Sequence, residues 1–161
     1  MPDLALPVRL SMLAVVATSA GWIRALPAQG PFQYRYAAKV VCGMPRERPP
    51  LTVQAYATSI NVNNPSDSLT VFLRKRLVIT FPPGFQIPQR PLKPFNDSLP
   101  GTFALMTDCQ DLRRRYGLTT PFFEGFVVIQ STMPLDMSAV FTVPGGIDVV
   151  AVAERKILVG Q

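Results

Sequence analysis

The sequence predicts an all-β protein, an antiparallel two-sheet sandwich of the immunoglobulin-like type with about seven strands and one short helical turn. Short apolar runs recur along the chain, and turn residues separate them about every ten residues. Several runs alternate apolar and polar positions with a period of two. The 161 residues include 17 prolines, 48% apolar residues and 16% charged residues, which suits a compact, loop-rich domain. A small barrel is the main alternative architecture.

The N-terminal segment, residues 1–28, is predicted to be a secretory signal peptide, which leaves residues 29–161 as a single β-sandwich domain. Arg9 precedes an apolar run from Leu10 to Ile23, and the small residue Ala28 is the expected cleavage position. The run is too short and too interrupted for a stable membrane span. We therefore expect a secreted or periplasmic protein with no membrane span after signal removal. The alternative is an uncleaved N-terminal anchor.

The chain has two cysteines, Cys42 and Cys109. An even count in an exported protein predicts a disulfide, and closing a loop of this length contributes on the order of 4 kcal/mol in the chain-entropy model. The chain contains no histidine, and two thiolates alone do not complete a tetrahedral zinc site. We expect no metal and no other cofactor.

The net charge of +6 is compatible with a nucleic acid or an anionic envelope polymer as the partner. Exported proteins rarely meet nucleic acid, so the expected partner is an envelope polymer or an envelope protein, and no nucleic acid. The basic residues are scattered except for two runs, Arg74 to Arg76 and Arg113 to Arg115. Short basic runs are usually solvated faces, so we interpret the first run as a strand interruption more than a binding patch.

Three strands are expected in the first half of the domain. Tyr34 to Gly43 alternates so that Cys42 points inward. Thr52 to Pro65 has one buried face, and the proline ends it because it supplies no N–H to the sheet. Ser68 to Phe81 is the longest strand, and Lys75 interrupts its apolar face. A bulge or a bend would let this lysine escape burial.

The proline-rich region from Pro82 to Pro100 is predicted to be an irregular loop. Long loops in compact domains tend to be functional or mobile, so if the protein contacts a partner, this region is the candidate for that contact. The candidate contact residues are the apolar side chains of this region, Phe85, Ile87, Leu92 and Phe95. We favour the other interpretation, a loop that crosses between the sheets while its phenylalanines cover the core.

A short strand from Thr102 to Met106 is expected to lead into a helical turn. Thr107 or Asp108 can cap the turn at its N-terminus, because their side-chain oxygens accept hydrogen bonds from the first free N–H groups. The turn runs through Arg115 and ends at Gly117.

Two carboxylates near Cys109 are the candidate catalytic residues. Asp108 and Asp111 stand close enough to suggest a paired-carboxylate site for general acid–base chemistry. Capping explains Asp108 without any chemistry, and Asp111 can pair with Arg114 or Arg115 at helical spacing. The sequence offers no cleft or substrate-binding group to accompany them, so a catalytic role is the weaker interpretation.

The second half of the chain contains the remaining predicted strands. Phe122 to Ser131 is so continuously apolar that it is expected in the middle of a sheet. Leu135 to Val143 alternates apolar and polar residues, and Pro144 to Gly146 then forms a turn. The last strand is predicted from Val149 to Leu158.

Several segments resemble, in the same order, a group of short exported bacterial proteins that have no assigned activity. These segments are Lys39 to Gly43, Tyr56 to Pro65, Asp108 to Leu112, Gly125 to Ile129, and Leu135 to Asp136 with Ala139 to Thr142. The ordered set spans nearly the whole domain and is more specific than any one motif. The resemblance implies an exported domain with a Cys42–Cys109 bridge, and no substrate, cofactor or catalytic residue. The chain departs from the group at Asn63, where histidine is equally expected.

Together these features predict a non-enzymatic exported module that binds a partner or has a structural role in the cell envelope or the extracellular space. Two other classes remain open. One is a hydrolytic enzyme that uses the carboxylates of Asp108 and Asp111. The other is a subunit that assembles by pairing sheet edges, for which Ser68 to Phe81 is long enough.

Overall fold

A computed structural model describes residues 31–46, 51–81 and 92–157. Within these ranges the chain forms nine strands and one helix. In order, they are β1 (Tyr34–Gly43), β2 (Ala57–Asn63), β3 (Val71–Ile79), β4 (Phe95–Leu99), β5 (Ala104–Asp108), α1 (Cys109–Tyr116), β6 (Phe122–Ser131), β7 (Asp136–Val143), β8 (Gly146–Ala151) and β9 (Arg155–Lys156).

The strands form two antiparallel sheets. The order of the five-stranded sheet is β4-β3-β6-β1-β9, and that of the four-stranded sheet is β5-β2-β7-β8. The inner faces of both sheets contribute to one apolar core, so the arrangement is sandwich-like. The prediction of a mostly antiparallel β protein with two sheets and one helix is confirmed.

The alternation of side chains explains how the two sheets hold together. In β1 the side chains of Tyr36, Ala38, Val40 and Cys42 are buried, whereas those between them are exposed or half-buried. β2 and β3 bury every second residue in the same way. Burying one large apolar side chain contributes about 1.5–3 kcal/mol, so the facing rows supply most of the packing energy.

The bounds of two predicted strands agree with the structure residue for residue, Tyr34–Gly43 and Phe122–Ser131. The second of these, β6, lies between β3 and β1 in the five-stranded sheet. This central position explains its continuous apolar run, because even its outward-facing residue Val128 is buried.

The predicted loop from Pro82 to Pro100 contains a strand that the sequence does not reveal. β4 pairs with β3 along its whole length, with Val71 opposite Leu99 and Lys75 opposite Phe95. Asparagine, aspartate and serine have low β propensity, so β4 forms because β3 offers a partner edge and not because of its local sequence. Residues 82–91 lie outside the described part of the chain.

The single last strand predicted from Val149 to Leu158 is wrong. β8 pairs with β7 in the four-stranded sheet, and β9 pairs with β1 in the other sheet. The chain therefore crosses from one sheet to the other after β8. Periodicity does not detect such a crossing, because the apolar residues continue through it.

The predicted bulge at Lys75 is also wrong. β3 pairs with β6 without interruption from Leu73 to Ile79, and Lys75 points between the two sheets with only 2% of its surface exposed. A buried ammonium group requires partners, and Asp97 and Thr107 provide them.

The strand expected to offer an open edge, Ser68 to Phe81, lies inside a sheet. β3 pairs with β4 on one side and β6 on the other. β4 begins opposite Lys75, and past that point on β3 the N–H of Leu77 donates a hydrogen bond to the hydroxyl of Tyr116 at 3.0 Å. The side chain from α1 therefore covers the part of the β3 edge that β4 does not reach.

The predicted disulfide and helical turn are both present. Cys42 at the end of β1 is bonded to Cys109, the first residue of α1, with 5.6 Å between the Cα atoms. The bridge joins the two sheets, because α1 follows directly from β5. Asp108 caps the helix, and Gly117 ends it in the left-handed conformation. Over the described part of the chain, no helix has the length and hydropathy needed to cross a membrane.

Candidate functional site

The outer face of the five-stranded sheet carries arginine side chains on two of its strands. Arg74 and Arg76 lie on β3, on either side of the buried Lys75, and therefore point away from the core. Arg35 on β1 points outward for the same reason, since Tyr36 next to it is buried. The period of two separates the basic run into one buried lysine and two surface arginines.

Strand register brings these three arginines together around β6. Gln130 of β6 pairs with Arg35 on one side and with Arg74 on the other. Val128, two residues earlier, pairs with Arg76. From the spacing of strands and residues in a sheet, the Cα atoms of Arg35 and Arg74 are about 10 Å apart, and those of Arg74 and Arg76 about 7 Å apart.

A shallow cavity of about 200 Å³ lies among these side chains. It is lined by Arg35, Arg74, Arg76, Pro94, Val128 and Gln130. Its lining contains an amide and three guanidinium groups but no carboxylate. The apolar Val128 is buried although it lies on the outer face, so side chains around it cover this part of the sheet.

Among the described residues, no acidic side chain neutralises the charges of this cavity. Within the described ranges, none of the three arginines forms an ion pair. Arg74 packs over the ring of Phe32, with 5.0 Å between its guanidinium carbon and the ring centroid. Glu124, on the same face, forms a salt bridge with Lys39, with 3.2 Å between Oε2 and Nζ. Three unneutralised cations thus surround one cavity.

This arrangement can bind an anionic group. A guanidinium is always charged near neutral pH, and its planar set of N–H donors matches the oxygens of phosphate, sulfate or carboxylate. Gln130 adds an amide that can donate to the same oxygens. The face has the donors and the charge for anion binding, and its lining offers no nucleophile.

The other basic run, Arg113 to Arg115, is occupied by contacts within the protein. Arg113 donates hydrogen bonds to the backbone carbonyl oxygens of Thr120 and Pro121 and packs over the ring of Phe123. Arg114 and Arg115 both donate to the carboxylate of Asp111. This run therefore stabilises α1 and the segment that follows it.

The two candidate catalytic carboxylates lie in α1 and at its N-terminus, where both bind helix groups. The N–H of Asp111 donates to the carboxylate of Asp108 at 2.7 Å, as the capping interpretation predicts. Burial raises the pKa of Asp111, but the hydrogen bonds from Arg114 and Arg115 outweigh it and hold the pKa below the usual value. A general acid near neutral pH needs the opposite shift.

The predicted partner contacts have different surroundings. Phe85 and Ile87 lie outside the described residues. Leu92 packs against the core. The half-buried ring of Phe95 lies 5.9 Å from the ring of Tyr116 and 4.4 Å from the guanidinium of Arg115. The described members of this set therefore make contacts within the protein.

Lys75 is the most buried charged group among the described residues. Its Nζ lies 3.1 Å from Asp97 Oδ2, 3.4 Å from the hydroxyl of Thr107 and 5.5 Å from the centre of the Phe95 ring. Burial lowers the pKa of this lysine, and the hydrogen bond to Asp97 partly opposes the shift. Because Thr107 belongs to the other sheet, the lysine connects the two sheets.

The sequence does not predict the arginine cavity, although it contains one signal of it. Alternation along β1 and β3 already placed Arg35, Arg74 and Arg76 on outward-facing positions. What alternation does not supply is the strand order that puts β1 and β3 on either side of β6. In the parts of the chain that the structure describes, no three histidine, cysteine or acidic residues come together as a metal site.

Comparison with known proteins assigns the chain to no family. No protein-family model matches the chain, and no curated protein matches it. Among solved structures, the fold is similar to that in the crystal structure of Thermotoga maritima 1070, with a TM-score of 0.48 and 11% sequence identity over 77% of this chain and 94% of that one. At this similarity the likeness carries no argument about function.

Proposed function

We propose that the protein is an exported, non-enzymatic binding module of the cell envelope or the extracellular space, built on an immunoglobulin-like sandwich. It binds an anionic polymer through the outer face of the five-stranded sheet. The observation that carries the proposal is the cavity in which Arg35, Arg74 and Arg76 converge with no carboxylate in the lining. The disulfide supports the exported location, because such bonds persist in oxidising compartments.

The spacing of the arginines suits a chain of charges. Arg74 and Arg76 lie along one strand, and Arg35 lies two strands away, so neighbouring anionic groups of one polymer can be bound at the same time. Each exposed contact contributes little by itself. Several contacts to one polymer add up, because the second and third groups bind at high effective concentration.

The test is a binding titration with two polymers of defined chemistry, inorganic polyphosphate and polyglutamate, over a series of salt concentrations. The variant Arg35→Gln/Arg74→Gln/Arg76→Gln should bind at least about tenfold more weakly, equivalent to about 1.4 kcal/mol. Its affinity should also depend less on salt, because fewer counterions are displaced. These glutamines keep most of the side-chain length and remove the charge.

A matched control removes the same charge elsewhere. The variant Arg46→Gln/Arg114→Gln/Lys156→Gln has the same net charge, but its changes lie outside the cavity lining. An equal loss of affinity in both variants would mean that only net charge matters. Failure of the unaltered protein to bind either polymer would overturn the proposed function.

The hydrolytic alternative rests on Asp108 and Asp111. What weighs against it is that both carboxylates already accept hydrogen bonds from α1 or its arginines. If the alternative were right, the protein would hydrolyse an ester, phosphoester or glycoside, and Asp108→Ala or Asp111→Ala would abolish this activity without unfolding the domain.

A further inference from the structure

β8 is an edge strand of the four-stranded sheet. β8 pairs with β7 on one side, and no strand in the described ranges pairs with its other side. All six of its residues are exposed. Such an edge presents free N–H and C=O groups that can bind another strand.

The hydrogen-bonding pattern identifies which residues of β8 point their backbone groups outward. The N–H of Val152 donates to the carbonyl of Met137 at 2.9 Å, so this pair is hydrogen-bonded. In an antiparallel ladder hydrogen-bonded pairs alternate with non-bonded pairs. Ile147, Val149 and Ala151 are therefore the residues whose N–H and C=O groups face away from β7.

The side chains of β8 give this edge little protection. Ile147 is 72% exposed, Val149 62% and Val150 45%. Natural edge strands are usually protected by charged side chains, especially lysine, by proline or by a bulge. β8 has no lysine, proline or bulge, and Asp148 is its one charged residue.

The opposite side of the sandwich differs from this one. There β4 and β5 are the edge strands, and α1 lies beside them, with the Tyr116 ring against Phe95 and the Tyr116 hydroxyl on Leu77. The five-stranded sheet ends near β8 in β9, which has only two residues. Among the described edges, β8 is thus the longest one without a covering element.

We propose that two copies of the chain pair through β8 in antiparallel fashion, with Val149 opposite Val149 of the second copy. This register places Ile147 opposite Ala151, so every outward N–H and C=O group in β8 finds a partner. It also places Asp148 opposite Val150. A register shifted by one residue toward the start of β8 would place Asp148 opposite Asp148 of the second copy and leave Ala151 unpaired. Repulsion between the two carboxylates disfavours this register.

The strand that pairs with β8 is β8 of a second copy, because in this register the outward N–H and C=O groups of the two strands match each other. The antiparallel two-fold axis passes through the Val149 pair, and the apolar side chains of Ile147 and Val149 from both copies then form one continuous strip on the outer face. The interface is small, because one strand of six residues buries less area than stable dimers need. The dimer is therefore weak and depends on protein concentration.

The symmetry of this pairing has a consequence for binding. An antiparallel two-fold axis stands perpendicular to the sheet, so each copy keeps the same face on the same side. Because the two sheets of each copy are stacked, both arginine cavities then face the same way. If the proposed function holds, the dimer presents two anion-binding faces to one polymer or surface, which raises the overall affinity by avidity.

The experiment is sedimentation equilibrium of the purified protein with its disulfide intact, over a wide concentration series. The weight-average mass should rise from one chain toward two. Val149→Lys should weaken the association at least about tenfold, because it adds a charge at the two-fold axis. The matched control is Val53→Lys, since Val53 is 58% exposed and lies outside both sheets.

A second measurement reads the register. Val149→Cys should be joined efficiently by a short bismaleimide reagent, whereas Val53→Cys should not. A protein that stays monomeric at every concentration, or a Val149→Lys variant that dimerises like the control, overturns the proposal. Neither measurement uses a polymer, so failure of anion binding would leave the dimer test unaffected.

Discussion

Lys75 and Asp97 form a salt bridge across neighbouring strands, with 3.1 Å between Nζ and Oδ2, inside the edge of a β-sandwich. The lysine side chain is 2% exposed, while the aspartate is 36% exposed. The ammonium group therefore reaches solvent only through its partner. This pairing holds β4 on β3 and, through Thr107, connects the five-stranded sheet to β5.

Removing Asp97 should destabilise the protein more than removing the charge of Lys75. Asp97→Ala leaves the buried ammonium group of Lys75 without its anion. We expect the free energy of unfolding to fall by about 1–3 kcal/mol, because the position of Asp97 is partly open to solvent. Lys75→Met keeps a similar side-chain volume and removes the buried charge, so it should lower the free energy of unfolding by less. Urea unfolding measures both, with Asp67→Ala at an exposed turn as the control. Equal losses for all three would contradict this account.

The stabilising role of Asp111 should depend on pH in the acid range. Its folded pKa is lowered, so the unfolded chain binds the proton more tightly. The stability difference between the unaltered protein and Asp111→Asn should be full at neutral pH. It should shrink as the pH falls below the usual aspartate pKa of about 3.9. Thermal unfolding across this range tests the trend, and a constant difference would refute it.

Loss of the Cys42–Cys109 bridge should lower stability strongly. The bond connects two residues that are 67 positions apart in the sequence, and it joins β1 to the start of α1. In the variant Cys42→Ser/Cys109→Ser the free energy of unfolding should fall by about 4 kcal/mol, mainly because the unfolded chain gains conformational entropy. Guanidinium unfolding of the oxidised, reduced and double-variant proteins gives the measurement. The reduced protein should match the variant, and no change on reduction would contradict the prediction.

Gly43 should be the least replaceable of the described glycines with a positive φ. Its φ is +97°, and an added Cβ would lie 1.9 Å from the backbone oxygen of Pro121. Gly117 has a φ of +63° but open space around it. Gly117→Ala should therefore cost only the conformational strain, about 1 kcal/mol. Gly43→Ala should lower the free energy of unfolding clearly more than Gly117→Ala does. Chemical denaturation of both variants measures this difference, and equal losses would contradict the prediction.

Much of the local structure could be predicted from the sequence. The period of two fixes the buried face of each strand, as in β1, where it placed Cys42 inward. Two cysteines allow only one intrachain pair, and the capping roles of Asp108 and Gly117 follow from residues close in sequence. These features depend on neighbours within a few positions, so the sequence determines them by itself.

Only the tertiary structure decided which strands are neighbours. β4 has a polar sequence and forms against β3, and the burial of Lys75 depends on Asp97 in β4 and Thr107 in β5. The cavity of Arg35, Arg74 and Arg76 likewise requires β1 and β3 to flank β6. Strand order reflects packing energies summed over the whole core, and no local period along the chain contains that sum.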